Sequence, residues 1–169
     1  PMLDASHLMN TDHVRYLCVS NKDEIVGIIS VRDLVRYFVD SEGGPIRDLD
    51  NVYRPLSVLM RTTMETIASE RTVQEAAQTM AEKRIGSLLV LEAGEMVGIV
   101  TETDLVRKVI AARLPASSTR VGAVMNYPLI QIDINHTVRD ASRLMAEKRI
   151  RHLAVTEENK VVGLLSVRD

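Results

Sequence analysis

Three short stretches of this 169-residue chain end in a hydroxyl and a carboxylate held three residues apart. They are Ser30-Val31-Arg32-Asp33, Thr101-Glu102-Thr103-Asp104 and Ser166-Val167-Arg168-Asp169. Each follows an apolar run opened by Val-Gly: Val26-Gly27-Ile28-Ile29, Val97-Gly98-Ile99-Val100 and Val162-Gly163-Leu164-Leu165. A hydroxyl followed three residues later by a carboxylate can do one of two things. It can cap a helix, each group satisfying a backbone N–H that the first helical turn leaves orphaned, which contributes about 1 kcal/mol. It can also grip a sugar diol, the carboxylate accepting from two hydroxyls, and a helix start favours a phosphate nearby. Both readings stay open on spacing alone, because one residue can cap an empty site and bind in a filled one.

The elements that must position these corners recur with them. A constant offset of 65 residues carries Glu75 to Asp140, and it holds from Met60/Met125 to Asp104/Asp169. Met80-Ala81-Glu82-Lys83-Arg84-Ile85 reappears unchanged as Met145-Ala146-Glu147-Lys148-Arg149-Ile150. An offset of 136 places Asp4-Ala5-Ser6, Leu8-Met9 and Arg15 on Asp140-Ala141-Ser142, Leu144-Met145 and Arg151. A repeat of this kind fixes the architecture before any single element does.

The middle copy is the complete one. Met64–Ile67 is a short apolar first strand. Thr72-Val73-Gln74-Glu75 is a capping box, and Val73, Ala76, Ala77 and Met80 follow at helical spacing, with the helix ending near Arg84. Ser87–Leu91 and Met96–Val100 are strands joined at Glu92-Ala93-Gly94-Glu95. A second helix is predicted over Asp104–Arg113, with Leu105, Val109 and Ala112 on one face. Thr137-Val138-Arg139-Asp140 repeats the first cap in the third copy. The fold class is therefore α+β, built from β-α-β-β-α units. The expected division is 1–40 (a unit whose start is missing), a linker over 41–55, a complete unit over 56–112, a linker over 113–120, and 121–169 (a unit lacking its final helix). Both partial units predict a fragment of a longer protein. A unit of about 50 residues has a marginal core, so small three-stranded sheets are expected to pair for cover.

Composition narrows the function classes. Apolar residues make up 46% and charged residues 26%, ordinary for a globular domain. A net charge of −2 supplies no basic field for nucleic acid, and 3% aromatics with no Trp supply no stacking platform. No 18-residue apolar run is present to insert into a membrane. The single Cys18 lies in an apolar alternation, is expected to be a buried strand thiol, and suits a reducing, cytoplasmic compartment. His7, His13, His136 and His152 lack the spacing of metal ligands, so no metal site is expected. Neither a nucleophile–base set nor a P-loop is recognisable.

With the corner in register three times and the other motifs twice, the chain resembles tandem cystathionine-β-synthase (CBS) domains. The carriers are Met60 and Met125, the Thr-Val-x-Glu/Asp helix start, the Met-Ala-Glu-Lys-Arg-Ile stretch and the Gly-x-x-Ser/Thr-x-x-Asp corner. The resemblance implies sheet-paired units, a homodimer, and a regulatory module that controls an attached or separate protein rather than a catalyst. It implies no obligatory cofactor, but a regulatory ligand containing adenosine: AMP, ADP, ATP or S-adenosylmethionine. Under it, Thr101/Asp104, Ser166/Asp169 and Ser30/Asp33 become ribose-binding. Arg151, His152 and Arg168 become phosphate-binding in the third copy, and Arg15 and Arg32 in the first. The middle copy has the uncharged Gly86-Ser87 at the matching place and Thr103 beside its Asp. Adenine is expected against Thr63, Met64, Pro128 and Leu129. The alternatives are a structural or dimerising module without ligand, its corners serving only as caps, or a regulatory fragment cut from a larger enzyme or transporter.

Overall fold

The structure is a computed structural model that describes residues 2–12, 14–31, 33–34 and 55–166. Arg32, Arg168 and Asp169, and nearly all of the predicted linker over 41–55, lie outside the described residues. The elements are α1 (Met2–Thr11), β1 (Tyr16–Asn21), β2 (Glu24–Ser30), β3 (Thr66–Ala68), α2 (Val73–Lys83), β4 (Ser87–Glu92), β5 (Glu95–Thr101), α3 (Glu102–Asp104), β6 (Gln131–Asp133), α4 (Val138–Lys148), β7 (His152–Glu157) and β8 (Lys160–Ser166). Sheet order is β3-β4-β5 in the middle copy and β6-β7-β8 in the third, three strands each, while β1-β2 stand as a two-stranded sheet. The chain divides into two compact units that do not follow the repeats: Pro1–Met60 with Ile132–Val155 and Leu164–Asp169, and Arg61–Gln131 with Thr156–Gly163.

In the second unit, β3 runs parallel to β4 (Ile67↔Val90) and β5 antiparallel to it (Ser87↔Thr101, Leu89↔Ile99). Helix α2 begins at the predicted capping box. Thr72 N–H and Oγ1 donate to Glu75 Oε2 at 2.7 and 3.0 Å, and Glu75 N–H donates to Thr72 Oγ1 at 3.2 Å. These bonds to Thr72, aided by the Arg71 guanidinium, hold the Glu75 carboxyl below its usual range. Val73, Ala76 and Met80 bury one face of α2 against Leu88, Val90 and Val100. Ala77, predicted on that stripe, is exposed. The first strand begins two residues later than predicted. The helix ends at Arg84 in the left-handed region (φ 54°), with Ile85 N–H returning to Met80 O at 3.0 Å. Arg149 repeats this stop after α4 (φ 54°), with Ile150 N–H on Met145 O at 3.0 Å. The repeated Met-Ala-Glu-Lys-Arg-Ile stretch is thus a helix end.

The predicted helix over Asp104–Arg113 is replaced by one α-turn, α3, which widens into a π-helical segment, Leu105–Ile110. Its carbonyls are met five residues on, Ala111 N–H on Val106 O and Leu114 N–H on Val109 O, both at 2.9 Å. The wider turn keeps Val109 buried but rotates Ala112 into solvent.

In the first unit, β1 and β2 pair antiparallel from Tyr16↔Ser30 to Asn21↔Glu24. No described strand lies along the outer edge of β1. Tyr16, Val26 and Ile28 are exposed, and Cys18 is exposed as well, against the buried thiol the alternation predicts. All three hairpins turn through two residues of positive φ: Lys22-Asp23, Ala93-Gly94 and Glu158-Asn159. This matches the twist of the flanking strands.

Candidate functional site

Each Ser/Thr-x-x-Asp corner begins where the second strand of a hairpin ends, so the residue entering the first strand faces it. In the middle copy Ser87 pairs with Thr101, and Gly86 O accepts from Glu102 N–H at 3.0 Å. In the first copy Tyr16 pairs with Ser30, and Arg15 O accepts from Val31 N–H at 3.1 Å. In the third, β7 opens at His152 and the neighbouring β8 closes at Ser166, with Arg151 just before. The hairpins therefore bring Arg15 to the Ser30 end and Arg151 and His152 to the Ser166 end. Arg151, His152 and Ser166 are half-buried, while Arg15 and Asp33 are exposed.

The middle corner is the best defined. Thr101 N–H and Oγ1 donate to Asp104 Oδ2 at 3.0 and 2.5 Å, and Asp104 N–H returns to Thr101 Oγ1 at 3.3 Å. Ser30 and Asp33 repeat this pattern, with donations to Asp33 Oδ2 at 2.8 and 2.6 Å. So do Thr137 and Asp140, at 3.0 and 2.7 Å, where the Thr137 bonds draw the Asp140 carboxyl below its usual range. The capping role is therefore filled at Ser30/Asp33, Thr101/Asp104 and Thr137/Asp140, while Asp169 lies outside the described residues.

Asp104 departs from a plain cap in two respects. It is buried (7% exposed), as is Thr101. It also engages two residues that the sequence reading did not single out. Asn126 Nδ2 donates to Asp104 Oδ2 at 2.8 Å, and Lys108 Nζ lies 3.0 Å from Oδ1. Lys108 further donates to Val124 O at 2.8 Å and Asn126 Oδ1 at 2.9 Å. The four-residue spacing of Asp104 and Lys108 was a legible helical ion-pair signal. Asn126 carried none, for its place depends on the segment in which it lies folding back along β5.

That segment also carries two of the expected adenine residues. Asn126 exchanges backbone bonds with Ile99 at 2.8 and 3.1 Å, and Leu129 N–H donates to Val97 O at 2.8 Å. Pro128, which follows Tyr127 through a cis bond, is exposed and Leu129 is buried. Both thus lie on the stretch alongside the strand that ends in Thr101. Thr63 is exposed and Met64 half-buried, in the approach to β3. Among the described residues no group of three or more His, Cys, Asp or Glu could hold a metal ion. No helix of the described residues is long and apolar enough to cross a membrane.

Comparison with known proteins places this geometry. The profile of the CBS domain matches residues 1–40, 56–111 and 121–169. CBS domain-containing protein YhcV of Bacillus subtilis is 33% identical over 110 residues, 65% of this chain and 78% of that protein. Among curated relatives, the match covers only 52% of one and 42% of another, so this chain spans about half their length. The crystal structure of an uncharacterized conserved protein from Pyrococcus horikoshii superposes with a TM-score of 0.65 at 34% identity, over 69% of this chain and 88% of that one. Protein MJ1225 from Methanocaldococcus jannaschii superposes over 98% of this chain and 61% of its own, with a TM-score of 0.76 at 18% identity, a likeness of fold alone. The chain is a mixed α/β tandem-repeat protein that belongs to the CBS domain family.

Proposed function

We propose that this chain is a regulatory module that binds an adenosine-containing ligand at its Ser/Thr-x-x-Asp corners and is not itself a catalyst. The observation that carries the reading is Asp104: a carboxylate only 7% exposed, fixed at the end of β5, with the Asn126–Leu129 segment bonded alongside that strand. A buried carboxylate held in one orientation is suited to accept both hydroxyls of a ribose. Arg151, at the open end of the third hairpin, would supply bidentate contacts to a phosphate, with Arg168 and His152 assisting. Arg15 and Arg32 would serve the first copy in the same way. Ser166/Asp169 and Ser30/Asp33 are the corresponding diol grips, and Thr63, Met64, Pro128 and Leu129 the adenine wall. Occupancy would favour one orientation of the repeats, which a regulated protein reads, in a cytoplasmic homodimer.

Calorimetric titration with AMP, ATP and S-adenosylmethionine tests this. Binding of at least one of them that is abolished by Asp104→Ala supports it, and no heat from any at millimolar ligand overturns it. The second reading is a structural, self-associating module. It is favoured by one observation: both oxygens of Asp104 already have partners within the chain. Asp104→Asn with unchanged oligomeric state, in a chain indifferent to nucleotide, would support that reading.

A further inference from the structure

The contacts around Asp104 close into a ring. An ammonium has three protons, and those of Lys108 are met by Asp104 Oδ1, Val124 O and Asn126 Oδ1. Asn126 turns its other side-chain group onto Asp104 Oδ2 at 2.8 Å while its backbone is paired with Ile99. Asp104 Oδ2 thus accepts three hydrogen bonds, two from Thr101 and one from Asn126. The two from Thr101 belong to the helix start and persist whatever occupies the corner. The one from Asn126 comes from 22 residues away and holds no helix together. Asn126 is exposed, so water can replace its lost partners.

From this ring we infer that Asn126 and Lys108 form an internal latch on the diol-binding carboxylate of the middle copy. A ribose reaching Asp104 replaces the Asn126 amide on Oδ2 and draws Oδ1 away from Lys108. The side-chain clamp on Val124–Asn126 then opens, and that segment runs on in sequence to the third copy. Ligand arrival is thereby converted into release of a fixed connection, and the latch sets the affinity against which the ligand competes. The inference rests on the adenosine reading of the corner and deepens it.

The test is calorimetric titration of AMP and of adenosine into the full chain and into its Asn126→Ala and Lys108→Met variants, with folding checked by circular dichroism. Lys108→Met keeps the aliphatic stem, so either variant that retains its fold decides. Loss of one competing hydrogen bond predicts that each variant binds both compounds about 3- to 10-fold more tightly than the parent. Equal affinity in parent and variants overturns the latch and leaves the adenosine reading standing. Weaker AMP binding by Lys108→Met with adenosine unchanged would assign the lysine to the phosphate, and also overturns it. No binding by any of the three proteins overturns the latch and the adenosine reading together.

Discussion

A Cβ placed on Gly98 would stand 2.8 Å from the backbone carbonyl oxygen of Asn126 and 2.9 Å from Met125 Sδ. Only glycine lets the Asn126 segment lie this close to β5, and that closeness delivers the Asn126 amide to Asp104. Gly98→Ala must push backbone aside, and is expected to destabilise the chain by about 1–3 kcal/mol in denaturant unfolding. The same change at Gly27, which has nothing within 4 Å, is expected to stay within about 0.5 kcal/mol. Equal effects at the two glycines would remove the steric account of the middle motif.

Acid should weaken the fold through its helix starts. Glu75 and Asp140 are held below their ordinary values chiefly by hydrogen bonds from Thr72 and Thr137, and Asp133 by those from Asn135. A carboxylate with a depressed folded-state value contributes stability above its unfolded value, near 4.5 for Glu75 and 3.8 for the two aspartates. That contribution is lost as pH falls through the depressed value. Urea midpoints should therefore drop on acidification below about pH 4.5. Thr72→Ala should cost about 1 kcal/mol at pH 7 and make the acid loss shallower. An undiminished acid slope in the Thr72→Ala, Thr137→Ala double variant would refute the assignment.

Cys18 is exposed on β1. The native chain should react with a thiol reagent in stoichiometric amount without denaturant, and Cys18→Ser should leave stability within about 0.5 kcal/mol. Labelling that requires denaturant would show that the β1-β2 face is covered in solution.

If the third corner holds a phosphate, Arg151→Ala should weaken AMP about tenfold or more while leaving adenosine nearly unchanged, because a hydrogen bond to a charged group contributes about 1.5–3 kcal/mol. Paired titrations with the two compounds check this, and a parallel loss of both would place Arg151 in a supporting role instead.

Core truncation offers a plain measure of the repeat. Leu88 is 1% exposed in the middle copy and Leu153 is fully buried in the third, at matching positions. Leu→Ala at either should cost about 2–5 kcal/mol. Leu17, which the repeat aligns with both, is only half-buried on β1, and its truncation should cost clearly less.

Much of the fold was legible because its cues are local. Capping boxes at Thr72 and Thr137, the helix stop at Arg84 and the hairpin turn within Glu92–Glu95 depend on neighbours in sequence. Where an expectation failed, the deciding contact was not local. Ala77 and Ala112 were placed on buried faces by ideal helical spacing, which cannot register where packing ends or that the turn after Asp104 widens. Cys18 alternates as a buried strand residue should, yet it is exposed, because alternation marks a strand face and not what covers it.

For the candidate site the same division holds. Local spacing alone places a hydroxyl and a carboxylate three apart in three copies, and they cap a helix start in the first two, since capping chemistry is written within four residues. The packed fold was needed to bury Asp104 and bring Asn126 onto it while Asp33 stays exposed. The Asn126 bond comes from a chain segment 22 residues away folding back over a glycine, and no local pattern encodes that approach.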